Sequence, residues 1–243
     1  IRGNNTVTFK NVLIGDVWIC SGQSNMQWAV RQSNNAEKEI ASAQYPKIRL
    51  FSVKRTAAQT PQQDVTGTWS VCDSQSVANF SAVGYFFGRQ LHKSLNVPIG
   101  LINTSWGGTP VEAWTSLPAL QATSDYEPLH KRWTKRIAAH PKAQEKFKMD
   151  LKNWQIASDS LKTLEQKVPR RPRAPQGPNH PHRPSVLYNG MIAPLTPYAI
   201  QGAIWYQGES NAGRAYQYRT LFSTMIHNWH ADWGQDAFPF LFV

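Results

Sequence analysis

Apolar residues gather in runs at residues 12–19, 48–53, 99–103, 199–206 and 238–243. Runs this short read as buried strands, because a helix of the same burial needs more length. Between them lie two stretches with apolar positions near helical spacing. Residues 80–95 carry Phe80, Val83, Phe87, Leu91 and Leu95; residues 214–229 carry Tyr218, Leu221, Phe222, Met225, Ile226 and Trp229. Buried strands alternating with helices predict a parallel sheet covered on both faces, an α/β fold. Residues 6–9 read as a further strand at the opening, and the chain closes on the apolar run 238–243. Strands cut short at both ends mark the sequence as a piece of a longer protein. No apolar run approaches the ~20 residues of a membrane span, so no crossing is expected.

Residues 120–184 interrupt this rhythm as an insertion within a domain spanning 1–243. Residues 129–164 are polar and basic and predict two helices, arranged as a hairpin. Residues 168–184 then place proline at every third position, Pro169, Pro172, Pro175, Pro178, Pro181 and Pro184. That spacing predicts an extended, polyproline-like arm. Charge sharpens the picture. The chain has 26 Lys and Arg against 15 Asp and Glu, a net charge of +11. Residues 121–184 alone hold 14 basic and 6 acidic side chains, so most of the excess lies on the insertion. A nucleic-acid binder carries its charge on the folded core, and no nucleic-acid partner is expected here. The basic stretch reads first as a solvated helical face, and second as a face that draws anionic sugars.

Ligands of open parallel sheets bind beyond the carboxyl ends of the strands. Three small, polar, glycine-bearing turns follow three of the predicted strands. They are Ser21-Gly22-Gln23-Ser24-Asn25-Met26, Thr104-Ser105-Trp106-Gly107-Gly108-Thr109 and Gln207-Gly208-Glu209-Ser210-Asn211. Singly, each has a structural account: Ser24 as a helix cap, Gly107-Gly108 as a plain turn, Glu209 as half of an ion pair. Together they supply a hydroxyl, approachable backbone N–H groups, amide donors and a carboxylate. Acyl transfer needs that set: a nucleophile, and donors aimed at a developing oxyanion. Ser24 is not in a Gly-x-Ser-x-Gly elbow, which disfavours the α/β-hydrolase fold. No His-x-x-x-His or paired-Cys spacing suggests a metal, and serine ester hydrolysis needs no cofactor. With only Cys20 and Cys72, one disulfide is the most the chain can form, and sequence leaves it open.

These blocks resemble the sialate O-acetylesterase family of the SGNH-hydrolase superfamily. The likeness extends to Gly15-Asp16-Val17-Trp18, Val111-Glu112-Ala113-Trp114 and Leu187-Tyr188-Asn189-Gly190-Met191-Ile192. The resemblance implies a three-layer α/β/α sandwich with a parallel, flavodoxin-like sheet. It implies Ser24 as nucleophile of a carbohydrate O-acetylesterase, with Glu209 assisting catalysis. It also implies an oxyanion hole from the N–H groups of Ser24 and Gly108 and a side-chain amide, Gln207 or Asn211. The family's general base is a histidine following an aspartate near the C-terminus. None of the seven histidines here has that setting, so the base is expected downstream of Val243, and the missing segment becomes a required partner. The substrate implied is an O-acetylated sugar, either a sialic acid or an acetylated plant polysaccharide. Trp28 and Trp106 are candidates to pack on the sugar ring, and Arg214 to hold a carboxylate. Export to a periplasm, a lysosome or the exterior also follows from the resemblance. The competing expectation is a non-catalytic carbohydrate-binding remnant of the same fold.

Overall fold

Alternation along each strand decides the layers. In the computed structural model, which describes residues 3–235 and 237–243, six strands form one sheet. Five are parallel: β1 (Asp16–Gly22), β2 (Tyr45–Ser52), β4 (Ile99–Asn103), β5 (Gly202–Tyr206) and β6 (Phe240–Phe242). The other, β3 (Trp69–Cys72), pairs antiparallel with the outer edge of β2. The spatial order is β3-β2-β4-β1-β5-β6. The parallel strands thus run second, third, first, fourth, fifth, where the flavodoxin-like order is 2-1-3-4-5; here the third strand lies between the first and the second, so β2 pairs with β4 and not with β1. β1 is therefore central, flanked by β4 and β5.

Successive side chains of a strand point to opposite faces. Trp18, Cys20, Leu101 and Ile204 enter one buried cluster, where they meet Met26 of α1 (Ser24–Gln27) and Tyr85 of α3 (Ala82–Leu95). The partly buried Ile40 of α2 (Ala36–Ser42) packs against the same cluster. Ile19, Ile102 and Trp205 enter the opposite cluster, with Trp114, Leu120 of α4 (Leu117–Gln121), and Leu221, Met225 and Trp229 of α6 (Ala215–Trp233). The result is the expected three-layer α/β/α arrangement. Cys20 and Cys72 are both free and buried; burial pushes the Cys72 thiol up to about 12 and that of Cys20 higher still.

The boundaries correct several expectations. Residues 6–9 form no strand, and Val7 and Phe9 are exposed. β1 starts at Asp16 rather than residue 12, leaving Ile14 93% exposed. Its parallel register on β4 begins at Asp16 opposite Ile99, and the residue before is Pro98, which has no N–H to extend the ladder. β3 has no counterpart among the predicted strands, because four residues with mixed polarity carry no readable period. The expected hairpin of two helices is instead a single helix, α5 (Tyr126–Thr163), that runs through Pro141. Most of α5 is solvated, with only Leu129, Trp133 and Ser158 buried, so little packing opposes the distortion that an interior proline brings. The segment after α5 contains no helix or strand up to residue 184, as the proline spacing predicts. It lies back along the helix: Trp154 Nε1 donates to Pro169 O at 2.7 Å, and the Arg171 guanidinium sits 5.9 Å from the Trp154 ring centroid. No helix among the described residues is long and apolar enough to cross a membrane.

Candidate active site

The central position of β1 brings the three turns to one edge. Ser24 opens α1 directly beyond β1, residues 104–109 follow β4, and residues 207–211 follow β5. The first turn is locked to its neighbours through the backbone. Gln23 N donates to Tyr206 O at 2.8 Å, and Trp106 N donates to Gly22 O at 3.0 Å. Gly22 has φ +133°, and a Cβ there would stand 2.2 Å from Tyr206 O, so both conformation and space require glycine. Gly22→Ala is expected to cost about 2–3 kcal/mol and to lower Tm by roughly 5–10 °C. A thermal melt checks this, and an unchanged Tm would show that the turn is not held as described.

Side chains tighten the junction. Gly107 N donates to Gln27 Oε1 at 2.6 Å, and Ser210 N donates to Gln23 Oε1 at 3.2 Å. Gly108 N lies 3.2 Å from Ser24 Oγ and donates to it. Gly108 has φ +75°, a backbone state that turns its N–H toward the serine. Ser24 itself is exposed, and as the first residue of α1 its N–H has no intrahelical acceptor. Asn25 Nδ2 donates to Glu209 Oε1 at 2.9 Å, which ties the third turn to the residue beside Ser24. The structure therefore brings Ser24, Gly108 and Glu209 together.

The two amide candidates are placed differently. Gln207 is 2% exposed, and its Nε2 donates to Thr109 O (3.1 Å) and Asn211 Oδ1 (2.7 Å). Asn211 Oδ1 also accepts from Val111 N at 2.9 Å, while its Nδ2 donates to Glu112 Oε2 at 2.9 Å. Both amides thus brace the second turn against the third, and neither hydrogen-bonds Ser24. The physical reason is burial: an amide with no access to water takes whatever partners enclose it.

The remaining candidates also separate. Trp28 is 49% exposed beside Ser24's helix. Trp106 is partly buried against the core, with the Arg55 guanidinium 5.9 Å from its ring centroid. Arg214 reaches inward: Nη2 donates to Glu112 Oε1 at 2.7 Å and Nη1 donates to Gln217 Oε1. Trp114 and Trp205 are core residues, and Trp114 Nε1 donates to Thr109 Oγ1 at 3.0 Å, so the core fixes the second turn.

Glu112, quoted only as part of a motif, is the hub that residue reasoning missed. It is 1% exposed, yet it binds Asn211, Arg214 and, at 3.2 Å, Arg132 of α5. The signal was available: a carboxylate inside the apolar block Val111-Glu112-Ala113-Trp114 requires buried cationic partners. Arg132 was not legible, because it lies on α5, remote in sequence. These groups line a cleft of about 540 Å³ that starts at Gly108 and Ser210 and is walled by Glu112, Arg132, Arg136, His182 and Arg214. No group of three or more His, Cys, Asp or Glu among the described residues is placed to hold a metal.

A doubly wound sheet with three convergent turns at its carboxyl edge, opening on a cationic cleft, defines a small-molecule site on an α/β scaffold. The family model described as carbohydrate esterase, sialic acid-specific acetylesterase, matches residues 14–149 and 179–243. The chain belongs to that family. The sialate O-acetylesterase of Rattus norvegicus is 37% identical over 99% of this chain and 45% of its own length. The sialate O-acetylesterase of Homo sapiens is 34% identical over 93% of this chain and 37% of its own length. A crystal structure of a carbohydrate acetylesterase from Xanthomonas citri aligns with a TM-score of 0.69 at 31% identity, covering 94% of this chain and 40% of that one. The chain thus spans less than half the length of the curated relatives it matches. The family match leaves out residues 150–178, which hold the end of α5 and most of the proline-rich arm.

Proposed function

We propose that this chain carries the nucleophile and oxyanion hole of a carbohydrate O-acetylesterase. The observation that carries the proposal is the Gly108 N–H at 3.2 Å from the Ser24 hydroxyl, at the mouth of the cleft. Ser24 Oγ bonds to the acetyl carbon while a base takes its proton. The carbonyl oxygen becomes negative and is held by the N–H groups of Ser24 and Gly108. The sugar oxygen leaves with the proton returned by the base, and water then attacks the acetyl-serine, releasing acetate and restoring Ser24. Glu209 holds Asn25, and through it the start of α1, in register with the third turn.

The base is proposed to be a histidine outside these residues. Among the described residues no histidine hydrogen-bonds Ser24 Oγ; His92 and His230 instead contact the carbonyls of Val97 and Phe238. Base assistance is worth ~10²–10⁴-fold, so the nucleophile needs that partner for full turnover.

A serine-reactive phosphonate tests the assignment without a natural substrate. Incubation with the protein expressed from its whole gene is expected to give one adduct, mapped by peptide mass spectrometry to Ser24. A non-catalytic binding remnant predicts no adduct, and an adduct on another serine would move the nucleophile elsewhere.

A further inference from the structure

We infer that Arg136, in the wall of the cleft that starts at Gly108, is a specificity-determining residue that holds the carboxylate of a sugar acid. The inference rests on the esterase function proposed above, because it places the sugar bearing the ester in the same cleft.

Charge is the first observation. Among the described residues that line the cleft, Arg132, Arg136 and Arg214 face a single carboxylate, Glu112. Glu112 is already saturated: Oε1 takes Arg132 and Arg214, and Oε2 takes Asn211. The cleft therefore carries an uncompensated positive charge, which attracts an anion.

The second observation singles out Arg136. Arg132 and Arg214 are held on Glu112, whereas no carboxylate among the described residues pairs with Arg136. Its guanidinium lies 5.1 Å from the ring centroid of the buried Trp133. Stacking of this kind steadies the planar donor fork, and a fixed fork suits a carboxylate, which accepts two parallel hydrogen bonds.

The surroundings report the same field. His182 lines the cleft and is held below the ordinary histidine range by burial and by Arg136, against a partial offset from Glu112. The neighbouring His180 is lowered to about 4 by burial, by His182 and by Arg136. Both rings stay neutral near pH 7, so they add no cation and leave the arginines as the source of attraction. The sequence could not rank this residue, since Arg136 reaches the cleft only because α5 runs across it.

Sialic acids and uronic acids share this chemistry, and the test separates them. The protein expressed from its whole gene is assayed as wild type, Arg136→Ala and Arg136→Lys. Substrates are an O-acetylated sialic acid, an O-acetylated uronic acid, an O-acetylated neutral sugar and p-nitrophenyl acetate. Arg136→Ala is expected to lower kcat/KM for one acidic sugar by about 10- to 100-fold, chiefly through KM. The neutral sugar and p-nitrophenyl acetate are expected to stay within about twofold, and Arg136→Lys to recover part of the loss. The acidic sugar that suffers identifies the source of the carboxylate. Equal loss on all four substrates, or no loss on either acid, overturns the inference. Calorimetric binding of the unacetylated acids keeps the two proposals apart. A wild type that binds an acid, loses that binding in Arg136→Ala and hydrolyses no ester leaves the cleft assignment standing while the esterase function fails.

Discussion

Ser24→Ala is expected to lower acetyl release by ~10⁴-fold or more, the scale on which serine hydrolases lose turnover when the nucleophile is removed. The loss should appear in kcat on both p-nitrophenyl acetate and an O-acetylated sugar. Fold and sugar affinity should persist, because Ser24 is exposed and its hydroxyl has one short contact, with Gly108 N. The variant also frees the Gly108 N–H without burying it, so no large stability cost follows. Unchanged kcat with unchanged Tm would remove Ser24 from the chemistry altogether. The measurement therefore bears on function rather than on folding.

Glu112→Ala is expected to act the other way, through stability first. Among the described residues Glu112 is the sole carboxylate paired with two guanidiniums that are themselves largely enclosed, and it also accepts from Asn211. Removing one partner from a buried ion pair costs about 3–5 kcal/mol, because the opposite charge is left without compensation. For a chain of this size that corresponds to a Tm fall of roughly 8–15 °C. The loss should spread to catalysis, since Asn211 carries Val111 and Gln207, and Gln207 holds Thr109 in the glycine turn. Burial and the like charge of Arg214 hold Arg132 below its usual range, with Glu112 as the counterweight. Glu112→Gln should fall between wild type and Ala, keeping the acceptor for Asn211 but not the charge. Denaturation of the three proteins checks the order, and an Ala variant as stable as wild type would show that the hub is not held by its charge.

How much of this was legible in the sequence differs from element to element. β4 matches the predicted run 99–103 end to end, and α3 and α6 fall within two to four residues of their predicted spans. Those stretches have clear periods and clear breakers. Residues 12–15 are as apolar as a strand but stay exposed, because pairing stops where Pro98 offers no donor. The helix through Pro141 was not foreseen, since an interior proline removes a donor and crowds the carbonyl four residues back, and so reads in a sequence as a helix boundary.

The site divides along the same line. Sequence alone determined the alternation of strands and helices and the three glycine-bearing turns at the carboxyl edge, with Ser24, Gly108 and Glu209 in them. Those are local facts, written in neighbouring residues. Tertiary structure decided the rest: that Gln207 and Asn211 face inward as braces, that Arg214 is held by Glu112, and that Arg132 and Arg136 of α5 wall the cleft. A side chain's partners depend on which distant segments enclose it and how far they exclude water. That information exists only once β1 sits between β4 and β5 and α5 has crossed the edge they form.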